Sequence, residues 1–206
     1  IKTKDFILIY KKSDTININP QYIKKMSWDT HYSRILDLET LEVFNLISYL
    51  IKDGVIPKDT NINELDINDT EFKNFYLKNC NRIFQTQPSI SAEGKKISLE
   101  RPDEVVTYGK TPNKEFALNG RRLVFLEDSI NLLEDGTNDI ASLICDFWDD
   151  IDFQNTQNEG GISFPSSKKP EKLVKRIFSL FTDEGDIVFD LFGGSGTSFA
   201  VAHKMN

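Results

Sequence analysis

The chain has 206 residues, of which 39% are hydrophobic and 28% charged, and its formal net charge is −7. This composition is typical of a globular protein and includes no apolar run near the roughly 18 residues of a membrane span, so we expect a cytoplasmic protein with no membrane segment. Cys80 and Cys145 stand alone and argue against a zinc site or a disulfide framework. A negative net charge disfavours phosphate binding, so contact with DNA requires local basic clusters.

The first 52 residues predict a strand followed by a helix. Residues 6–9 are apolar between basic flanks and indicate a strand, and residues 13–19 are polar and indicate a loop. From residue 30 to 52 apolar residues recur at helical spacing, and Gly54 is a plausible C-terminal stop. We therefore expect an amphipathic helix here, with its apolar side in the core.

The middle of the chain predicts a second helix and then β structure. After a turn-rich acidic connector at 53–70, residues 71–84 indicate a helix capped by Asp69 or Thr70. Residues 96–101 and 104–108 alternate or carry β-branched side chains and indicate strands, with Pro102 and Asp103 as the turn between them. A further strand is expected over residues 120–126.

Basic and aromatic side chains are interleaved in this middle region. Lysine and arginine can contact phosphates or guanine edges, and they make this region a candidate DNA-binding surface. A solvated charged face would show the same pattern. The candidate DNA-binding residues are Lys95, Lys96, Arg101, Arg121 and Arg122.

The C-terminal part predicts a helix, a short strand, a glycine-rich turn and a second helix. Pro170 precedes an apolar stripe over 173–181, and residues 183–185 end that helix before the apolar run at 187–191. The turn at 193–196 then leads into the second helix. Glycines let a ligand approach the backbone, and the first helical amides face it with unpaired donors, as in sites for nucleotide-like ligands.

Residue identities narrow the class of ligand at this turn. A Walker loop needs a lysine after its glycines, and no lysine occurs between Asp186 and Ala202. A dinucleotide fingerprint needs a third glycine where Phe199 stands. Asp190 disfavours a phosphate and favours a ligand with a positive or hydroxyl-rich part. Taken alone, the pattern is also compatible with a structural turn in any α/β domain.

Two segments resemble motifs of the β-class amino-methylating DNA methyltransferases. Residues 190–197 resemble motif I, Asp-x-Phe-x-Gly-Ser-Gly-Thr, which binds S-adenosylmethionine. Residues 164–173 resemble motif X, whose Lys-Pro-x-x-Leu segment lines the methionine end of the cofactor, and the order of the two motifs is that of the β class. The resemblance implies cofactor contacts from Asp190, Phe192, Gly194, Ser195, Gly196, Thr197, Phe164, Pro165, Lys169 and Pro170.

The resemblance also implies an activity and its partners. Residues 148–152 and 158–161 are similar to the modification subunits of type III restriction systems, which implies adenine-N6 methylation of double-stranded DNA and a restriction (nuclease-helicase) subunit as partner. A cytosine-N4 methyltransferase shares both motifs. A non-catalytic DNA-binding or partner-docking module with a degenerate turn is the alternative from another class.

The catalytic loop of this family, Asp/Asn/Ser-Pro-Pro followed by an aromatic residue, is absent, because no two of the seven prolines are adjacent. We expect that loop to lie N-terminal to Ile1, and therefore predict no catalytic residue in this chain and no methylation by the chain alone. Methylation of an exocyclic amine needs such a loop to hold the flipped base.

The expected fold class is α/β, a partial Rossmann-like methyltransferase fold with a mixed α+β target-recognition insertion. The resemblance assigns residues 1–12 to a strand of the methyltransferase core, 13–146 to the target-recognition region and 147–206 to the cofactor-binding part of the core. Sheet edges that lack neighbouring strands tend to pair with another chain, so we also expect a homodimer.

Overall fold

The computed structural model describes residues 6–12, 17–110, 114–153, 156–161, 163–164 and 168–205. It is a mixed α/β structure with two compact units, residues 22–142 and residues 1–21 together with 143–206. The described strands are β1 (Tyr22–Lys24), β2 (Arg34–Leu36), β3 (Val43–Asn45), β4 (Ile83–Gln87), β5 (Val106–Tyr108), β6 (Glu115–Leu118), β7 (Arg121–Phe125), β8 (Ile130–Leu132) and β9 (Asn138–Leu143). The described α-helices are α1 (Leu46–Lys52), α2 (Thr70–Lys78), α3 (Ala92–Glu100), α4 (Glu171–Phe181) and α5 (Thr197–Met205).

The unit of residues 22–142 is built on an antiparallel sheet in the order β3-β2-β4-β7-β6-β5, beside a smaller sheet in the order β1-β9-β8. One apolar cluster joins Ile35 and Ile83 of the large sheet to buried residues of α1 and α2. The Trp28 ring lies in this cluster, with its centroid 5.0 Å from that of Phe72. The two helices therefore cover one face of the sheet.

The opposite face of the same sheet carries a second apolar cluster. It contains Leu36 of β2, Phe84 of β4 and Leu123 of β7, together with Val105. Because successive strand residues point to opposite faces, the central strands β2 and β4 are buried on both sides. Such strands read as continuous apolar runs rather than as alternating ones.

The predicted helix over residues 30–52 is wrong for residues 30–45. Strands β2 and β3 pair there, joined by a turn in which the Asp37 carboxylate accepts hydrogen bonds from the amides of Glu39 at 2.9 Å and Thr40 at 3.0 Å. Only α1 is helical, and the Asn45 side chain caps it by accepting from the Ser48 amide. Of the apolar residues that mimic helical spacing before α1, Ile35 and Phe44 lie on paired strands, whereas Leu38 and Leu41 belong to the connection between them.

Two further assignments differ from the structure. The predicted helix over 71–84 ends at Lys78, and residues 83–87 form β4, since Ile83 and Phe84 enter the two different apolar clusters. The predicted strand over 96–101 belongs to α3, which begins at the cap Ser91. That cap accepts a hydrogen bond from the Gly94 amide at 3.1 Å.

The assignments with clear local signals are confirmed. Asp69 caps α2, strands β5 and β7 lie within the predicted ranges, and helices occur over residues 171–181 and 197–205. Pro170 is the N-cap residue of α4 rather than its first helical residue.

The strands expected at 6–9 and 187–191 are not formed among the described residues. Ile187 is 94% exposed and Phe189 81% exposed, so these apolar side chains pack against little else in their unit. A strand requires a neighbour to pair its backbone groups. The described parts of residues 6–12 and 147–205 contain no strand, so the expected sheet of the core is not formed there.

Candidate functional site

The glycine-rich turn before α5 adopts a conformation that requires glycine. Gly194 has φ of 51° and Gly196 φ of 76°, in the left-handed region that is strained for residues with a Cβ. The Gly196 amide donates to the Gly193 carbonyl at 2.6 Å, which closes the turn immediately before Thr197 begins the helix. The sequence therefore builds a tight turn that opens onto a helix N-terminus, where unpaired amides favour negatively charged ligand groups.

Asp190 places a carboxylate at the entrance of this turn. It accepts a hydrogen bond from the Phe192 amide at 2.9 Å. A hydrogen bond from the Ser198 side chain, and next that from Phe192, lower the pKa of Asp190 below its usual value. The carboxylate is therefore ionised at neutral pH and suits an ammonium group or ligand hydroxyls.

Side chains around the turn restrict its shape. The hydroxyls of Ser195 and Thr197 lie 2.9 Å apart, and Thr197 is buried at the start of α5. A Cβ on Gly193 would lie 2.7 Å from the Phe199 ring, so a larger residue here would displace that half-exposed ring. The Phe192 ring is 89% exposed beside the turn, which leaves an apolar surface next to the polar groups.

The upstream candidates lie at a different place in this unit. Phe164 is half-buried, Lys169 is exposed and Pro170 is buried, whereas Pro165 lies outside the described residues. Glu171, the first residue of α4, forms an ion pair with Lys204 at the far end of α5.

This ion pair shows how far the start of α4 lies from the glycine-rich turn. Lys204 lies about 10 Å along α5 from Thr197 at 1.5 Å per residue. The structure thus brings residues 190–197 together, and it places the start of α4 beside the opposite end of the helix that follows them.

Lys172 and Arg176, which the sequence did not single out, connect α4 to residues 148–150. The guanidinium of Arg176 donates to both oxygens of Asp150, at 2.7 and 2.6 Å, and lies 5.2 Å from the ring centroid of Trp148. The hydrogen bond from Arg176 holds the pKa of Asp150 far below its usual range. The spacing of Lys172 and Arg176 on one side of α4 was the available signal, and Lys172 also contacts Asp150 at 2.8 Å.

The candidate DNA-binding residues differ in the ion pairs and hydrogen bonds that their side chains form. Arg101 pairs with Glu104 at 3.3 Å, and Arg122 pairs with Glu115 at 3.4 Å. Arg121 donates to the Thr86 carbonyl at 2.9 Å. The exposed residues Lys95 and Lys96 lie on α3 and have no ion pair with another described residue.

One hydrogen bond connects α3 to the start of β7, where Arg121 and Arg122 lie. Ser98 of α3 is fully buried, and its hydroxyl accepts from the Gly120 amide at 2.9 Å. Gly120 directly precedes Arg121, so the basic end of β7 and α3 occupy one part of this unit. Arg34 was missed, because its place on β2 depends on strand pairing that the sequence did not reveal.

The described part of the chain shows neither a membrane-spanning helix nor a cluster of metal-binding side chains. It contains no helix long and apolar enough to cross a bilayer. Within the same residues, no group of three or more His, Cys, Asp or Glu side chains is placed to hold a metal ion.

Comparison with known proteins finds two relatives with local similarity. The probable type III restriction-modification enzyme HindVI Mod subunit of Haemophilus influenzae is 58% identical over 60 residues, which are 29% of this chain and 8% of that protein. The type II methyltransferase M.BamHI of Bacillus amyloliquefaciens is 56% identical over 34 residues, 16% of this chain and 8% of that protein. The matches therefore span less than a tenth of either relative.

No solved structure matches the chain. The sequence model of one family, N6_N4_Mtase, described as DNA methylase, matches all of residues 1–206. This match covers the glycine-rich turn and the unit of residues 22–142 alike. The chain therefore belongs to the N6_N4_Mtase family of DNA methylases.

Proposed function

We propose that the protein carrying this chain transfers a methyl group from S-adenosylmethionine to the N6 amine of adenine in double-stranded DNA, as the modification component of a type III restriction system. The family match over the whole chain carries this proposal, and the geometry of the glycine-rich turn supports it. The similarity to a relative named as a Mod subunit favours adenine and a restriction (nuclease-helicase) subunit as partner.

The turn and its flanks fit S-adenosylmethionine, which has an ammonium, a carboxylate and ribose hydroxyls. The ionised Asp190 suits the ammonium or the hydroxyls, and the amides at the start of α5 suit the carboxylate. The exposed Phe192 ring offers an apolar surface to the rest of the molecule. The proposed cofactor residues are Asp190, Phe192, Gly194, Ser195, Gly196 and Thr197.

When bound, S-adenosylmethionine supplies an electrophilic methyl group on a sulfonium. The residues of this chain would orient it and exclude water from one side. Phe164, Pro165, Lys169 and Pro170 are proposed to line the methionine side. In this chain no adjacent prolines occur, so no catalytic residue is proposed here.

We propose that residues 1–12 and 147–206 belong to a Rossmann-like methyltransferase core. Their apolar runs, with Phe6 at 87% and Ile187 at 94% exposure, support this assignment, because such runs become buried when neighbouring strands cover them. Residues 13–146 are proposed as the target-recognition region. The compact unit of residues 22–142 supports that boundary.

DNA contact is proposed for the basic residues of this region. Lys95 and Lys96 are exposed on α3 without ion pairs to described residues, so their charges are available to phosphates. Arg101 ends α3, whereas Arg121 and Arg122 follow Gly120, which is hydrogen-bonded to α3, and point to opposite faces of β7. A homodimer is proposed from the open edges of the sheet, where β3 and β5 lack an outer neighbour among the described strands.

Calorimetric titration of S-adenosylmethionine into the chain tests the cofactor site. Asp190→Ala is expected to weaken binding at least tenfold, because it removes the ionised group at the turn. Glu184→Ala is the matched control, since Glu184 is exposed six residues earlier and carries the same charge. Equal affinities for the two variants would contradict the role of Asp190, and no binding to the unsubstituted chain would show that it does not hold the cofactor unaided.

Product analysis tests the target base. Duplex DNA methylated by the complete protein is digested to nucleosides, and N6-methyladenine is expected by mass spectrometry. Cytosine N4 is the second candidate, because the family named N6_N4_Mtase is described only as DNA methylase. N4-methylcytosine would replace the adenine assignment, and no methylated base would contradict the proposed activity.

A further inference from the structure

An open cleft in the unit of residues 22–142 places two arginines on one face of the large sheet. Arg34 lies opposite Phe84, and Thr86 lies opposite Leu123 in the strand register. Arg121 comes two residues before Leu123. Alternate residues of a strand share a face, so Arg34, Thr86 and Arg121 lie on the face of the second apolar cluster, beyond its end.

The cleft has a volume of about 310 Å³, and its polar lining consists of Arg34, Thr86, Asp103, Asn119 and Arg121. This is near the lower end of the roughly 300–1,000 Å³ of ligand pockets, so the open cleft suits contact with the edge of a planar group rather than enclosure of a large cofactor. The cleft lies in the unit proposed for target recognition, outside the glycine-rich turn.

Arg121 is held in a defined orientation. Its guanidinium donates to the Thr86 hydroxyl at 3.1 Å and to the Thr86 carbonyl at 2.9 Å. A guanidinium has five N–H donors, so three remain for a ligand. The backbone before it is also fixed, since Asn119 and Gly120 have φ of 47° and 70° in a two-residue hairpin between β6 and β7.

The other charged groups of the cleft have no partner in the described structure. Neither the Arg34 guanidinium nor the Asp103 carboxylate forms a hydrogen bond or an ion pair with another described residue. The cleft thus presents unused donors beside an unused acceptor. A phosphate would be repelled by Asp103, whereas the edge of a base pair offers acceptors and donors side by side.

We propose that this cleft reads a G·C base pair of the recognised DNA sequence through its major-groove edge. Arg121 donates to the guanine O6 and N7 acceptors, Arg34 supplies a second donor beside it, and Asp103 accepts from the cytosine N4 amine. Arg121 and Asp103 are specificity-determining residues in this assignment. It rests on the proposed function of residues 13–146 in DNA recognition.

Selection from a randomised duplex library tests the assignment. The chain is incubated with the library, bound duplexes are sequenced, and the preferred site is confirmed by fluorescence anisotropy. Arg121→Lys keeps the charge and loses the two-pronged donor geometry. We expect it to lose about 5- to 150-fold of the discrimination for guanine at one position, with little change in binding to unrelated DNA.

Two further variants sharpen the test. Asp103→Asn exchanges an acceptor-only group for one that also donates, and it is expected to relax the preference at the same base pair. Asp53→Asn is the matched control, because Asp53 is an exposed aspartate at the C-cap of α1 and does not line the cleft. It is expected to retain the sequence preference of the unsubstituted chain.

The outcomes separate this inference from the function on which it rests. If the unsubstituted chain selects a sequence and both Arg121→Lys and Asp103→Asn retain the full preference, the base-reading assignment is wrong and DNA recognition stands. An equal loss on every sequence would make Arg121 a phosphate contact and would also overturn the assignment. No binding of any duplex by the unsubstituted chain would contradict both the inference and the proposed role of residues 13–146.

Discussion

The buried carboxylate of Asp139 is expected to stabilise the unit of residues 22–142 in a pH-dependent way. Asp139 is 1% exposed, and it accepts hydrogen bonds from Lys73 at 2.6 Å and from the Tyr76 hydroxyl at 2.6 Å. Lys24 lies 3.0 Å away, and the Ile140 amide donates at 2.8 Å. Burial alone would raise the pKa of Asp139, but these hydrogen bonds lower it from 3.8 to about 2.

The magnitude follows from that pKa. At 1.36 kcal/mol per pH unit, a fall from 3.8 to about 2 corresponds to about 2 kcal/mol of the free energy of unfolding. Because the pKa is depressed in the folded protein, this stabilisation is fully present above pH 4. It is lost as the pH falls from about 4 to about 2.

Asp139→Asn tests this reasoning. At pH 7 the substitution removes the anion from between two lysines that are each 31% exposed, so part of their charge returns to water and the loss is expected at about 2–3 kcal/mol. Urea unfolding followed by tryptophan fluorescence measures it, since Trp28 lies 5.8 Å from Tyr76 in the same core.

A second aspartate, Asp135, provides the control for this prediction. Asp135 is exposed, and the Thr137 side chain and then its amide lower the pKa of Asp135. Asp135→Asn removes the same charge four residues away and is expected to change the free energy of unfolding by less than about 0.5 kcal/mol. Equal losses in the two variants, or an unchanged pH dependence below pH 4 in Asp139→Asn, would refute the assigned role.

Three further substitutions have expected outcomes. Gly94→Ala places a Cβ 2.6 Å from the Tyr108 ring and is expected to lower the free energy of unfolding by about 1–3 kcal/mol in urea titration. Asp150→Asn leaves the buried Arg176 without its carboxylate and is expected to cost up to about 3 kcal/mol in thermal unfolding. Gly196→Ala strains a residue with φ of 76° by about 1–2 kcal/mol and is expected to weaken S-adenosylmethionine binding in calorimetry.

Matched controls distinguish these effects from general destabilisation. Gly136→Ala introduces the same kind of strain at φ of 81° in the other unit, and it is expected to leave cofactor binding unchanged. Asp149→Asn alters the exposed neighbour of Asp150 and is expected to leave the unfolding temperature unchanged. Stabilisation by Gly94→Ala would contradict the packing argument, because alanine is otherwise the better helix former.

The sequence predicted those elements whose signals are local. Pro170 marks the start of α4, and the glycines at 194 and 196 mark a turn that only glycine adopts without strain. The turn at residues 193–196 could therefore be predicted before any packing was known, and the cofactor contacts of residues 190–197 could be proposed from it. Ser91, followed by Glu93, carried an equally local signal for α3, but the strand pattern of the residues after it prevailed.

The remainder depended on contacts that sequence spacing does not show. Ile35 and Leu36 are both fully buried because the large sheet is covered on its two faces, so β2 lacks the apolar–polar alternation that marks a strand. The same cause concealed Arg34, whose place beside Arg121 depends on the pairing of β2 with β4 and of β4 with β7. The cleft could be found only after the strand register was known.

The apolar run before the glycine-rich turn connects the proposed cofactor site to the proposed methyltransferase core. Ile187, Phe189 and Leu191 alternate along the chain, and they are 94%, 81% and 74% exposed. Burial of one such side chain contributes about 1.5–3 kcal/mol, so neighbouring strands that cover all three would gain roughly 5 kcal/mol or more. The turn itself is fixed by its glycines, whereas the direction of Asp190 depends on residues 187–189, which form no strand in this structure. Pairing of residues 187–191 with neighbouring strands would hold Asp190 in place before the cofactor binds. Binding would then no longer bear the entropy cost of ordering Asp190, so the affinity for the cofactor should rise.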